Sequence, residues 1–237
     1  PRHPDGFWGR MNPHLADALD WAPLVRIDND ASLAAVAEGN VGAALGCSDY
    51  ITLLAGERLG AGVVVDGHLL RGAHGGVGEM VAFDHVEGVG SANGLGAMAA
   101  TWARAAAEGG RLSPGGVLAS MSEEAIDGRA VLEAAAGGDP DARAIAERVG
   151  EVLARIVSVL GSMYDPQRVV VSGAVAAGVD DVVAAARRAL PTDLHLPAPE
   201  LVISPLGADV VVTGAVSAAA EAARAAALDV WAARRAD

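Results

Sequence analysis

Asn29 and Asp30 are the residues with the clearest chemical capacity, closing the apolar run Leu24-Val25-Arg26-Ile27 at Asp28-Asn29-Asp30. A carboxylate in such a position can serve as a general base. The same Asp30 sits where an N-cap belongs, and an aspartate caps a helix there without any ligand. A second carboxylate, Glu79, follows a glycine-dense loop from Gly72 to Gly78. Such a loop brings backbone close to a ligand, although a loop carboxylate is equally at home in solvent. His74 and His85 lie nearby but form a poor metal site without partners. Cys47 is the one cysteine, which excludes an internal disulfide and a multi-cysteine metal site.

The elements that must position these groups follow from periodicity and turn chemistry. Residues 1–22 read as an irregular entry with a short amphipathic piece at His14–Leu19. Leu24–Ile27 is predicted as a short strand. Leu33, Val36, Ala37, Val41 and Ala44 fall on one stripe at helical spacing, so a helix follows Asp30. Tyr50–Leu54 is the next strand. Gly60–Val65 and His68–Leu70 flank Asp66-Gly67, a favoured two-residue hairpin turn. Residues 95–108 read as an Ala-rich helix. Asp139-Pro140 is a cap followed by proline in the first turn, starting a long helix whose face carries Ile145, Val149, Val152, Ile156, Val159 and Met163. Asp165-Pro166 stops it. Arg168–Val171 is a near-continuous apolar strand, followed by a turn at Ser172-Gly173, a helix over Val179–Leu190, a strand at Leu201–Ser204 and a final Ala-rich helix. Strands alternating with helices define an α/β fold.

With 237 residues the chain can bury a sizeable core, and 52% apolar against 3% aromatic content means a core of Ala, Val and Leu. The formal net charge of −13 repels nucleic acid, so any DNA contact by the parent protein is expected from another segment. No uninterrupted apolar stretch reads as a membrane span, and no signal peptide opens the chain. A cytoplasmic protein is the expectation. Pro1-Arg2-His3-Pro4 carries no initiator Met, and the chain is expected to begin inside a larger protein.

Three segments in order resemble the ROK family (repressor, open reading frame, kinase). They are VRIDNDASLAAVAE at Val25–Glu38, LGAGVVVDGHLLRGAHGGVGE at Leu59–Glu79 and DPQRVVVSGAVAAG at Asp165–Gly178; Gly207–Ala219 resembles the family's closing Gly-Ala helix. The resemblance implies an actin-like ATPase (ribonuclease H-like) fold. Residues 1–237 then form one sugar-kinase-like domain that is incomplete at its N-terminus, with residues 1–24 as the entry segment. It implies that Asn29, Asp30 and Glu79 bind a sugar, with Asp30 as general base in a kinase, and that Gly60, Gly62 and Gly173 border a nucleotide. Family members commonly form homodimers.

The departures from the family pattern shape the functional expectation. Ala82 stands where the family has a histidine that contacts sugar and ligates zinc. The family's Cys-rich zinc motif corresponds to Gly90–Ala97, without a thiolate, and Ala99 replaces a sugar-contacting glutamate. No zinc is expected. The second phosphate loop reads Gly56-Glu57-Arg58-Leu59-Gly60. A carboxylate facing phosphate costs about 4 kcal/mol per charge pair at 4 Å and an effective dielectric of about 20, unless Arg58 faces the site instead. The family's Asp-x-Gly-x-Thr phosphate loop does not occur in the chain. The leading expectation is a regulator's effector domain that senses a sugar or sugar phosphate, with no cofactor, and reaches DNA only through an upstream helix-turn-helix. An ATP- and Mg-dependent hexose kinase is the runner-up. A non-binding dimerisation scaffold is the third reading.

Overall fold

The computed structural model describes residues 16–22, 24–173, 178–192 and 196–236. Most of the entry segment, including His14, lies outside them; of it, Asp17–Leu19 forms a short 3-10 turn. Among the described residues the strands are β1 (Tyr50–Ala55), β2 (Leu59–Val65), β3 (His68–Leu69), β4 (Arg168–Ser172) and β5 (Glu200–Ile203). The α-helices are α1 (Asp30–Val41), α2 (Leu95–Glu108), α3 (Gly128–Ala136), α4 (Pro140–Tyr164), α5 (Val179–Ala189) and α6 (Val210–Ala236).

The strands form one mixed sheet in the order β3-β2-β1-β4-β5. β1 and β2 pair antiparallel, Thr52 opposite Gly62, and β1 and β4 run parallel, Thr52 opposite Val170. β4 and β5 are also parallel. Asp66 and Gly67 turn the β2–β3 hairpin with φ of 50° and 73°, the conformation an Asp-Gly pair favours. On one face Ile51, Leu53, Val63, Val169 and Val171 join Leu95, Leu132, Leu153 and Ile156 of α2 to α4 in the main core. On the other face Tyr50, Val64 and Val170 meet Ala35 of α1. Successive side chains of a strand point to opposite faces, and each face here has its own helical layer.

Two local expectations are corrected. Leu24–Ile27 forms no strand; its residues pair with neither edge of the sheet, and Leu24 and Ile27 remain exposed. The buried face of α1 only partly follows the predicted stripe: Ala37 and, just past the helix, Ala44 are buried, but Leu33 and Val36 are half-buried, Val41 is 57% exposed, and Ala31, Ala34, Ala35 and Glu38 complete the buried face. The helix is held on two sides, by the sheet and by α6, and small residues let both approach. Val210 of α6 joins Ala34 and Ala37 in one cluster. A Cβ on Gly62 would overlap the Ala31 carbonyl oxygen and the Ala35 methyl, so β2 lies almost against the helix backbone.

Asp139 caps α4, accepting from the amides of Asp141 and Ala142, and also accepts from Val117 N–H at 2.6 Å. Along α4, Ile145, Val149, Val152 and Ile156 are buried as predicted, but Met163 is 65% exposed, because it falls in the last turn. Among the described residues one helical segment, Gly207–Ala227, is long and apolar enough to cross a membrane by length and composition. Charged residues interrupt it, so it is not the uninterrupted apolar stretch that the sequence was expected to lack. The segment is Ala-rich, includes Glu221 and Arg224, and packs along α1.

Buried Glu38 is the polar centre of the α1 face. Its Oε1 accepts from the Ser172 hydroxyl at 2.8 Å, and its Oε2 from Ala43 N–H at 2.8 Å. Burial first, then the Glu38 charge and Cys47, pushes the Tyr50 phenol up to about 12, and its hydroxyl donates to the Ala35 carbonyl at 2.9 Å. The Thr52 hydroxyl on this face is buried without a hydrogen-bond partner among the described residues, and nothing in the structure explains it.

Candidate functional site

The outer edge of β2 organises the candidate site, because three separate segments dock along it in turn. Nearest the β1–β2 turn, Asn93 bridges Arg58, and Leu59 N–H donates to the Ala92 carbonyl at 2.8 Å. Next, Glu79 bridges Gly60, and Ala61 N–H donates to the Gly78 carbonyl at 2.9 Å. Last comes β3. Gly78 has φ 89°, and a Cβ there would overlap the Ala61 carbonyl. Only glycine fits this close approach.

Asn29, not Asp30, is the N-cap of α1, which corrects the sequence expectation. Its Oδ1 accepts from Ala31 N–H at 2.9 Å and Ser32 N–H at 3.3 Å. Asp30 is the first helical residue; its Oδ1 accepts from Ala31 N–H at 2.8 Å, and the side chain is exposed. A carboxylate in the first turn also suits the positive end of the helix. The position that would hold a Cβ on Gly60 is 3.2 Å from the Ala31 methyl, and Gly60 is the residue Glu79 pairs with. The fold therefore brings Asn29, Asp30 and exposed Glu79 to the same end of the sheet, about fifty residues apart in sequence.

Asp28, just before the cap, forms a bidentate pair with Arg71 at 2.6 and 2.7 Å. Burial pushes the Asp28 carboxyl up. The hydrogen bonds and charge of Arg71, helped by the Asn29 amide and Arg26, outweigh burial and hold it below its ordinary value. No local sequence signal links residues 28 and 71.

The three glycines sort by what they face. Gly60 and Gly62 turn toward α1. Gly173, with φ 106°, ends β4 beside Leu54 and Ala55 at the end of β1; residues 174–177 lie outside the described ones. In front of these strand ends, where open α/β sheets place ligands, is a cavity of about 670 Å³. Gly56, Glu57, Arg58, Arg104, Asp127 and Arg129 are among its lining residues, so Glu57 and Arg58 both border it. Arg58 approaches Asp84 at 4.0 Å, while Arg104 and Arg129 have no carboxylate partner among the described residues. No sequence signal marked the last two: one sits in an Ala-rich helix, the other beside the Asp127 cap of α3.

The residues where the family carries zinc do not fit a metal. Ala82, Gly90, Ala92 and Ala97 offer no side-chain donor, and among the described residues no group of three or more His, Cys, Asp or Glu side chains is placed to hold one. The segment is closed by protein bonds instead: Asp84 Oδ1 accepts from Ala92 N–H at 2.7 Å, and Gly94 N–H donates to the Glu57 carbonyl at 2.8 Å. Ala99 is fully buried.

A mixed sheet with helical layers on both faces, a hairpin edge that gathers distant polar residues and a cavity at the strand ends is the body of a partial actin-like ATPase fold. The profile of the ROK family matches residues 20–224, and the chain belongs to that family. It is 31% identical over 234 residues to the bifunctional enzyme NanE/NanK of Brucella suis biovar 1, covering 90% of this chain and 40% of that protein. The chain thus spans well under half the length of this relative. Its fold is similar to a ROK family glucokinase from Streptomyces griseus in complex with glucose and AMPPNP, with TM-score 0.68, 24% identity and coverage of 84% of this chain and 69% of that one. It is also similar to a ROK family transcriptional regulator, a homologue of the E. coli MLC protein, with TM-score 0.65, 22% identity and coverage of 80% and 50%. A kinase and a regulator share this fold.

Proposed function

We propose that this chain is the ligand-sensing body of a ROK transcriptional regulator, binding a sugar or sugar phosphate without efficient phosphoryl transfer. The observation that carries this reading is an uneven site. Asn29, Asp30 and Glu79 share one end of the sheet, while Ala82 and buried Ala99 stand where the family contacts sugar, and Glu57 lines the cavity at the phosphate loop. Sensing needs only different ligand affinities in two conformations, not chemistry. The sugar hydroxyls go to Asn29, the free oxygen of Asp30 and Glu79. A phosphate on the ligand suits the side of the cavity bearing Arg58, Arg104 and Arg129. In the cell the protein is a cytoplasmic homodimer, and DNA contact comes from a helix-turn-helix outside this chain.

The same three arginines and the likeness to NanE/NanK favour a second reading, an ATP-dependent sugar kinase. There Mg-ATP supplies the phosphoryl group. Asp30 takes the hydroxyl proton on Oδ2, the oxygen the Ala31 amide leaves free, and Asn29 orients the sugar. Calorimetry with glucose, amino sugars and their 6-phosphates, run beside a coupled assay for ADP release, separates the readings. Binding without turnover supports the sensor, and sugar-dependent ADP release overturns it in favour of the kinase. No binding to any probe leaves a scaffold.

A further inference from the structure

We propose that Arg71 is a positioning residue, clamping the Gly72–Gly78 loop to the start of α1 and so setting where Glu79 stands relative to Asn29 and Asp30. The inference rests on the small-molecule site proposed above and adds the part that holds it together.

The loop cannot hold its own shape. Gly72, Gly75 and Gly78 all have positive φ, at 72°, 70° and 89°, and glycine-rich backbone loses the most freedom on ordering. Its internal bonds are long: Gly75 N–H to the Gly72 carbonyl at 3.5 Å and Val77 N–H to the Arg71 carbonyl at 3.3 Å. Anchors at the two ends must therefore fix it. The C-terminal anchor is the pairing of Gly78 and Glu79 with β2. At the N-terminal end the backbone is tied to β2 as far as Leu70, whose N–H donates to the Val63 carbonyl at 2.8 Å, and beyond it the Arg71 side chain adds the next anchor, bonded to both oxygens of Asp28. The planar guanidinium fork matches a carboxylate in both distance and direction, which an ammonium cannot do.

The partner's position gives the clamp its consequence. Asp28 precedes the cap residue directly, and its Oδ1 also accepts from Asn29 N–H at 3.1 Å. One carboxylate thus touches the loop and the cap residue together. The Asp28 side chain is only 9% exposed, against 46% for Arg71, so the buried member sits in the fold and the more exposed member leads into the loop. Removing Arg71 would leave the largely buried Asp28 carboxylate without its partner, so some global stability goes with the clamp; its distinctive effect is on local order.

The test uses the full chain with Arg71→Ala, Arg71→Lys and the double variant Asp28→Asn/Arg71→Ala. Three readouts are taken: melting temperature, hydrogen exchange of peptides covering residues 72–79, and calorimetry with glucose and glucose 6-phosphate. Arg71→Ala should speed exchange in 72–79, weaken affinity roughly tenfold or more and lower the melting temperature, whereas Asp28→Asn/Arg71→Ala, which removes the stranded charge, should recover part of the melting temperature but neither the exchange protection nor the affinity. Lysine should restore part of the affinity, and the double variant should be no weaker than Arg71→Ala, because both changes remove one interaction. Unchanged exchange, or unchanged affinity despite a loosened loop, overturns the proposal. If the wild type binds neither probe, the sugar-site reading fails on its own; exchange then decides the clamp, a faster loop sustaining it and an unchanged one removing it.

Discussion

Replacing Gly62 with alanine tests whether the β2 glycines serve packing or ligand approach. The added methyl would overlap the Ala31 carbonyl oxygen and the Ala35 methyl and stand 3.2 Å from the Ala31 carbonyl carbon. Those are backbone and core atoms of α1, which cannot rotate away, so the helix must shift bodily. Inserting a methyl into a packed interior costs about 1–3 kcal/mol. Relief of the glycine's chain entropy returns roughly 0.5–1 kcal/mol. The net loss should be about 1–2 kcal/mol, or roughly 2–8 °C in melting temperature for a domain of this size. Two variants grade the effect. Gly60→Ala would stand 3.2 Å from the Ala31 methyl alone, and Gly76→Ala would meet nothing within 4 Å. Thermal denaturation should therefore rank stability as Gly76→Ala, then Gly60→Ala, then Gly62→Ala. Because α1 carries Asn29 and Asp30, Gly62→Ala should also weaken any ligand bound there. A Gly62→Ala protein that melts at or above the wild-type temperature would refute the close helix–strand approach.

Asn29→Ala removes the acceptor for two amides and should cost about 1 kcal/mol in urea unfolding, whereas Asn29→Asp should retain most of the cap. Asp139→Ala should cost about 2 kcal/mol, since it uncaps α4 and strands the Val117 amide. Burial pushes the Asp139 carboxyl up, but the amides of Ala142, Val117, Leu118 and Asp141 outweigh it and hold the group below its ordinary 3.8. A depressed folded value means the contribution is complete above 3.8 and fades as pH falls through the lower folded value. The stability gap between wild type and Asp139→Asn should accordingly shrink below about pH 4; a gap constant down to strong acid would refute it. Arg104→Glu/Arg129→Glu should weaken calorimetric binding of ADP or glucose 6-phosphate roughly tenfold, and wild-type binding should fall with added salt. Unchanged affinity would remove the cationic wall from the site.

What the sequence determined by itself is local. Asp66-Gly67 specifies its hairpin and Asp139-Pro140 its helix start, because a backbone angle or a cap depends on residues within one turn of chain. Alternating apolar runs specified the α/β class and the long buried face of α4 for the same reason. The family pattern placed Asn29, Asp30 and Glu79 in order along the chain. Other features waited for tertiary structure. Leu24–Ile27 has strand character but no ladder, since a strand exists only where a neighbour accepts its hydrogen bonds. The buried face of α1 is alanine, because the approach of β2 and α6 rewards small side chains over the large ones that periodicity picks out. The Arg71–Asp28 pair, the Glu38–Ser172 bond and the arginines of the cavity join residues from 43 to 134 positions apart or on separate helices. No local propensity encodes such pairs; they form only when the sheet order brings their elements together.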